Sequence, residues 1–187
     1  ACAPFRRLHV CDRNLEVIRP DQITSTHNLL VDVLLTAKHE GQLLVEKHKK
    51  YKETHKDSNI CTVLARSFAD IGDIIRGKDL FLGTYQEKKS LIFEKIHSGL
   101  TESGAKKHYQ DKNGGNFFKL REDWWNANRD QVWKAITCDA GQKDTYFKTS
   151  SGGEYKFTSG KCGYNEENVL TNLDYVPQFL RWFEEWA

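Results

Sequence analysis

Spacings of three and four between apolar residues run through most of this chain and predict a mostly helical fold. Leu30, Val33, Leu34, Ala37, Gly41, Leu44, Val45 and His48 form one stripe, with Thr24, Ser25 or Thr26 placed to cap its start. A second helix is predicted from about Asn59 to Arg76, with Leu64, Phe68, Ile71, Ile74 and Ile75 as its core face and Gly77 as its stop. A third is predicted over Gln86 to His97, with an extension past Gly99 toward Tyr109. A fourth spans Phe117 to Ile136, with Leu120, Trp124, Asn128, Val132 and Ile136 on one face and Arg121, Trp125, Arg129 and Trp133 on the next. A last helix starts near Pro177, capped by Asp174, and carries Phe179, Leu180, Trp182, Phe183 and Trp186.

Three stretches break the helical pattern. The first twenty residues are irregular and contain Cys2 and Cys11. Leu80 to Tyr85 reads as a connector, and Lys112 to Asn116 as a turn. From Cys138 to Asn172 glycine, serine, threonine, asparagine and lysine dominate, which predicts a long loop with short strands, held by Cys138 and Cys162. Loops of that length in a compact domain tend to be functional or disordered.

Polar residues inside the second helix are unusual. Arg66, Asp70, Asp73 and Arg76 lie three or four apart, the spacing of an ion-pair ladder along one side. Gly72 in mid-helix costs about 1 kcal/mol relative to alanine, so a close neighbour is expected there.

The chain has 187 residues, enough for one domain with a buried core. Its 28 basic and 26 acidic residues leave a charge of +2, which does not point to nucleic acid. No apolar run is long enough to span a bilayer. There is no methionine, and the last predicted helix has no stop signal, so a fragment is expected. The five cysteines are an odd number and include no CxxC, which argues against structural zinc and leaves buried thiols and disulfides both open.

Catalytic motifs fail on their spacing. Gly72 to Lys78 approximates a phosphate-binding loop, but Asp79 stands where a hydroxyl is needed and Gly72 lies inside a helix. His39-Glu40 begins a zincin pattern that Leu43 ends. His48 and His55 have no nearby carboxylate cluster, and no GxSxG occurs. Asp70 and Asp73 have the spacing of an acid/base pair, but beside two arginines they read as a structural network. No catalytic residue, metal or cofactor is expected. Trp124, Trp125, Trp133, Trp182 and Trp186 read first as core. The run from Lys47 to Lys56 reads either as a solvated helix end that complements the backbone dipole or as a site for sulfated glycan or phosphate.

Four long segments carry a resemblance. They are Cys2-Ala3-Pro4-Phe5-Arg6-Arg7-Leu8-His9-Val10-Cys11; Ile60 through Gly77 (ICTVLARSFADIGDIIRG); Leu120 through Trp125 with Val132 through Cys138; and Asp174 through Trp186 (DYVPQFLRWFEEW). In this order they resemble the alpha class of Duffy-binding-like domains of Plasmodium falciparum erythrocyte membrane protein 1. The resemblance implies a helical bundle with an irregular cysteine-bearing N-terminal segment and a long loop before the last helix. It further implies that residues 1–187 are the N-terminal and central subdomains, the C-terminal subdomain lying outside. Cys2 and Cys11 would pair with upstream cysteines, Cys61 would bridge toward the later loop, and one cysteine among Cys61, Cys138 and Cys162 would remain over.

The function implied is non-catalytic adhesion, as the extracellular part of a membrane-anchored parent on the infected erythrocyte. The implied partners are erythrocyte or endothelial receptors, heparan-sulfate-like glycans, blood-group sugars, complement receptor 1 and host antibodies. Lys47, Lys49, Lys50, Lys52 and Lys56 are the first candidates for glycan contact, with Arg6, Arg7, Lys106 and Lys107 second. The surfaces expected to meet antibodies are Glu87 to Asn116 and Asp139 to Asn172. Two alternatives stand beside adhesion: a segment that presents neighbouring receptor-binding domains, and, on the residues alone, an intracellular helical enzyme or scaffold.

Overall fold

A computed structural model describes residues 2–23, 25–81, 85–111, 115–149 and 155–187, with the backbone alone for 85–89, 148, 149 and 155. Two short helices, α1 (Phe5–Leu8) and α2 (Arg13–Val17), and a 3-10 turn (Pro20–Gln22) lead into the long α3 (Thr26–Tyr51). Then follow α4 (Ile60–Arg76), α5 (Tyr85–Ser98), α6 (Ser103–His108) and α7 (Phe118–Thr137). Strands β1 (Phe147–Thr149) and β2 (Tyr155–Phe157) pair antiparallel, with Phe147 opposite Phe157. A tight turn labelled α8 (Gly160–Gly163), a 3-10 turn (Leu173–Tyr175) and α9 (Gln178–Trp186) complete the chain.

Local chemistry sets the helix ends. At the start of α3, Asn28 Oδ1 accepts from the Ser25 amide at 3.0 Å, so Ser25 is the cap among the three candidates, and Thr24 lies outside the described residues. Asn59 caps α4 by accepting from the Cys61 amide at 2.8 Å. Gly77 ends α4 at φ 75, and the Lys78 amide donates to the Asp73 carbonyl at 2.9 Å; this left-handed stop favours glycine. The third predicted helix does not run on to Tyr109. It stops at Ser98, and α6 is a separate element. The predicted connector and turn fall partly on residues 82–84 and 112–114, outside the described residues.

The core is the packing of α3, α4 and α7 on one another. Phe68 of α4 sits between Trp125 and Trp133 of α7, with ring centroids at 5.2 and 5.3 Å. Both glycines of the predicted stripes are contact points. A Cβ on Gly72 would lie 2.7 Å from Trp125 Cζ2, and one on Gly41 would strike the Ile136 carbonyl. Four tryptophans are buried, as their spacing predicts, but Trp186 is largely exposed.

The α4 helix departs from its amphipathic reading. Ser67, Asp70, Asp73 and Arg76 are as buried as the apolar face, because α1, α9 and the 3-10 turn at Leu173–Tyr175 cover the polar side. The expected ladder within α4 is therefore mostly replaced by pairs between helices. Only Asp73 and Arg76 pair within it, at 2.9 Å; Arg66 reaches Glu184 at 3.9 Å. Asp174 is not a cap for α9 either. It is buried, accepting from Trp125 Nε1 at 2.9 Å and from Arg129 at 2.8 and 2.9 Å.

The long segment before α9 does contain short strands and is tied down by a disulfide. Cys162 bonds to Cys61 at the start of α4. Cys138 is not its partner; Cys138, Cys2 and Cys11 are not disulfide-bonded here. Among the described residues no helix is long and apolar enough to cross a membrane.

Candidate functional site

Two charged regions of different character emerge: a buried network that holds the fold, and an exposed basic tip. The network is centred on α4. Arg181 of α9 donates to Asp70 at 2.8 Å and to Asp73 at 2.5 Å. Gln178 donates to Asp70 at 3.1 Å and to Asp79 at 2.7 Å, and its Oε1 accepts from the Leu80 amide at 2.6 Å.

From the other side come Arg6 and Arg7 of α1. Arg6 reaches Asp70 at 2.7 Å and grips Glu185 through two bonds at 2.8 and 2.9 Å, while Arg7 pairs with Asp79. Both arginine side chains, named above as second candidates for glycan contact, are buried against carboxylates. Interior guanidinium groups with carboxylate partners hold elements in register.

Burial and charge set the acidity of these carboxylates. Burial raises Asp70, but Arg6 and Arg181 outweigh it and bring the group below its ordinary value. In Asp73 burial dominates over Arg181 and Arg76, and the group is pushed up to about 6. Glu40 of α3 is raised by burial too, although the Cys11 amide and the Ser67 hydroxyl donate to it at 2.9 and 2.7 Å. The Asp70/Asp73 pair is thus held by arginines from α1, α4 and α9, and Asp73 also lines a cavity of about 320 Å³ beside the 3-10 turn at Leu173–Tyr175.

The exposed region is the end of α3. Lys47, Lys49 and Lys50 lie in its last turns, Lys52 is its C-cap, and Lys56 is in the turn that follows. All five are exposed, and every residue from Lys49 to Asp57 is exposed, so the helix end projects beyond the bundle. Among the described residues none of the five forms an ion pair with a carboxylate. The tip also has internal order. Tyr51 stacks on His55 at 4.0 Å with nearly parallel planes, and Thr54 bonds His55 at 2.8 Å.

His48 points the other way. It is buried, bonds Ser58 at 3.0 Å through Nε2, and its pKa is lowered by burial and by Lys52. Lys106 and Lys107 are also exposed, but on α6, a separate element; the Lys106 carbonyl meets His97 Nε2 at 3.0 Å. The structure therefore groups the Lys47–Lys56 set at one tip, puts Lys106 and Lys107 elsewhere, and takes Arg6 and Arg7 inside.

Sequence reasoning missed Gln178, Asp79, Glu40 and Glu185 as network members. The available signal was the charge density of α4: four ionisable residues on a helix that is otherwise apolar require partners from outside it.

Among the described residues no group of three or more histidines, cysteines or carboxylates is arranged to hold a metal. A cleft of about 510 Å³ at the foot of the tip is the concave feature nearest these groups, lined by Lys47, His48 and Tyr51 among others.

Comparison with known proteins places this geometry. A Duffy receptor beta form of Plasmodium knowlesi is 25% identical over 195 residues, which cover 100% of this chain and 14% of that protein. The solved NTS-DBL1(alpha-1) domain of Plasmodium falciparum membrane protein 1, from the varO strain, is 51% identical with a TM-score of 0.88, over 100% of this chain and 43% of that one. A DBLβ domain of PfEMP1 bound to human ICAM-1 is 36% identical with a TM-score of 0.71, over 97% of this chain and 38% of that one. This chain thus spans less than half of either solved structure and about a seventh of the curated relative. The profile of the Duffy binding domain matches residues 1–181, and with the helical core and the α4 network in place, the chain belongs to the Duffy binding domain family.

Proposed function

We propose that this domain is a non-catalytic adhesion module, and that the lysine tip of α3 reads sulfated, heparan-sulfate-like glycans on host cells. The observation that carries the reading is the exposure of Lys47, Lys49, Lys50, Lys52 and Lys56 on one projecting helix end with no carboxylate partner among the described residues. Helix-dipole compensation accounts for cations in the last turn. It does not account for Lys56, which lies beyond the helix.

Adhesion as the class of function is supported by family membership and by the neighbour solved with human ICAM-1. In this reading the chain forms the N-terminal and central parts of a longer domain displayed by an adhesin on the infected erythrocyte. Blood-group sugars, complement receptor 1 and antibodies are further partners of the same surface class. Lys106 and Lys107 offer a second, smaller cationic patch on α6.

The test is retention on heparin and binding to uninfected red cells across a salt titration. Wild type should bind saturably and weaken steeply with salt, since exposed ion contacts are screened over about 8 Å at physiological ionic strength. A Lys49→Glu/Lys50→Glu/Lys52→Glu variant should lose most of its heparin retention while unfolding at the wild-type midpoint. Retention unchanged in that variant would refute the tip assignment. Red-cell binding indifferent to both salt and heparin would point instead to a protein receptor.

A further inference from the structure

Arg121 of α7 differs from the other interior arginines in having no counter-charge. Its side chain is 1% exposed. Arg7, Arg76 and Arg181, the other buried arginines among the described residues, each hold a carboxylate at 2.5 to 2.9 Å. Arg121 holds none among the described residues. Its one hydrogen bond there runs from Nη2 to the Ser90 hydroxyl of α5, at 3.2 Å. A guanidinium carries five N–H donors and no acceptor. Its Nε is closed off from solvent and meets no acceptor.

The surroundings do not supply the missing charge. Gly77, at the left-handed end of α4, leaves the room that Nη1 takes; a Cβ there would lie 2.5 Å from it. On the α5 side the guanidinium carbon sits 5.0 Å from the centroid of Phe93. That π face attracts the cation and offsets part of its desolvation. Glu122 and Asp123, next along α7, are committed elsewhere, the first to Lys78 and Arg76 and the second to the Tyr109 hydroxyl. Asp111 acts on Arg121 through its field without an ion pair, and its Oδ2 accepts from the Phe117 amide at 2.9 Å. Burial outweighs that field and pushes the Arg121 pKa down to about 10, which leaves the group a cation at neutral pH. Three residues on, Trp124 packs edge-on against the same Phe93 ring at 6.5 Å, and its Nε1 is also buried without an acceptor.

The seam between α5 and α7 therefore contains two donors without acceptors and one positive charge without a partner. A buried water would satisfy donors and leave the charge uncompensated. A small anion satisfies both, and the closure of the site excludes a large one. We infer that Arg121 holds a monovalent anion of the halide class in this seam, on Nε, with Trp124 Nε1 as the second donor. The anion is a structural counter-ion that ties α5 to α7. It lies inside the domain, apart from the lysine tip and independent of the glycan reading.

The experiment is thermal unfolding of the whole chain at fixed ionic strength, with sodium gluconate replaced stepwise by sodium chloride. A ligand that binds only the folded state raises the midpoint by mass action. Wild type should gain about 2–4 °C by about 150 mM chloride, along a saturating curve. Arg121→Met removes the charge at similar length, and its midpoint should be indifferent to chloride. Lys49→Glu/Lys50→Glu/Lys52→Glu should keep the full gain, which separates the interior site from the tip. Wild-type crystals soaked in bromide give a readout that needs no variant, with an anomalous peak expected in contact with Arg121 Nε. No gain in wild type, a gain that rises linearly without saturating, the same gain in Arg121→Met, or bromide on surface lysines only overturns the assignment.

Discussion

Arg181 and Asp70 are 111 residues apart in the chain and 2.8 Å apart in the fold, with both side chains closed off from solvent. Asp70 also receives Arg6, from near the other end of the described chain. One carboxylate on α4 therefore joins the first and last helices to the core. The motif segments at the two ends of the sequence meet on the motif segment in its middle.

Removing one partner of such a pair leaves an uncompensated charge in the interior, which typically costs about 3–5 kcal/mol. Arg181→Ala and Asp70→Asn should each lower stability by about that amount, and limited proteolysis should then cut α9 first. Arg66→Ala is the contrast. Its 3.9 Å contact with Glu184 is far more exposed, and its loss should cost at most about 1 kcal/mol. Urea unfolding of the three variants checks the ranking.

Glycine at position 72 is dictated by Trp125. A methyl group there would stand 2.7 Å from the indole, which is completely buried and bonded to Asp174. Gly72→Ala should destabilise by about 1–3 kcal/mol through overpacking, less the helix propensity gain of about 1 kcal/mol. Gly104, in α6 with nothing within 4 Å of the added Cβ, should show only the propensity gain. Thermal midpoints moving in opposite directions for the two alanine variants would confirm the contrast.

Acidity differs between the two aspartates of α4, and so should their pH dependence. Asp73, raised to about 6, holds its proton more tightly folded than unfolded; its favourable contribution is present at low pH and lost as pH rises through about 6. The wild-type advantage over Asp73→Asn should therefore grow between pH 7 and pH 5. Asp70 is lowered by Arg6 and Arg181 against burial, so its contribution is present above the ordinary carboxylate range and lost on acidification below it. The advantage over Asp70→Asn should shrink below about pH 4. His48 has the same surroundings in all three proteins, so its own titration drops out of the comparison to first order.

The Cys61–Cys162 bond closes a loop spanning 101 positions. Chain-entropy arguments assign about 4–5 kcal/mol to a crosslink of that span. Reduction, or Cys61→Ala with Cys162→Ala, should lower the thermal midpoint by several degrees or more and raise protease sensitivity first between Cys138 and Asn172. Antibodies raised to the oxidised domain should lose affinity where their epitopes lie in that segment. Replacing it with a neutral linker and finding all antibody binding unchanged would remove it as an epitope.

Several features were legible in the residues alone. Periodicity placed the helices, because an amphipathic helix writes its buried face into its spacing; α4, with its glycine stop, came within a residue of its observed ends. The mid-helix glycine announced a close neighbour, and the linear density of Lys47 to Lys56 announced an exposed basic end. The motif segments announced the family. Other features belong to tertiary structure. The charges of α4 have the spacing of a ladder, yet Asp70 pairs with Arg6 and Arg181 because α1 and α9 cover that side of the helix. Arg6 and Arg7 look in sequence like any surface cations, and carboxylates that meet them across 64 to 179 residues hold them inside. Whether a charge becomes a ligand contact or a structural pair depends on what folds against it, and local spacing carries no record of that.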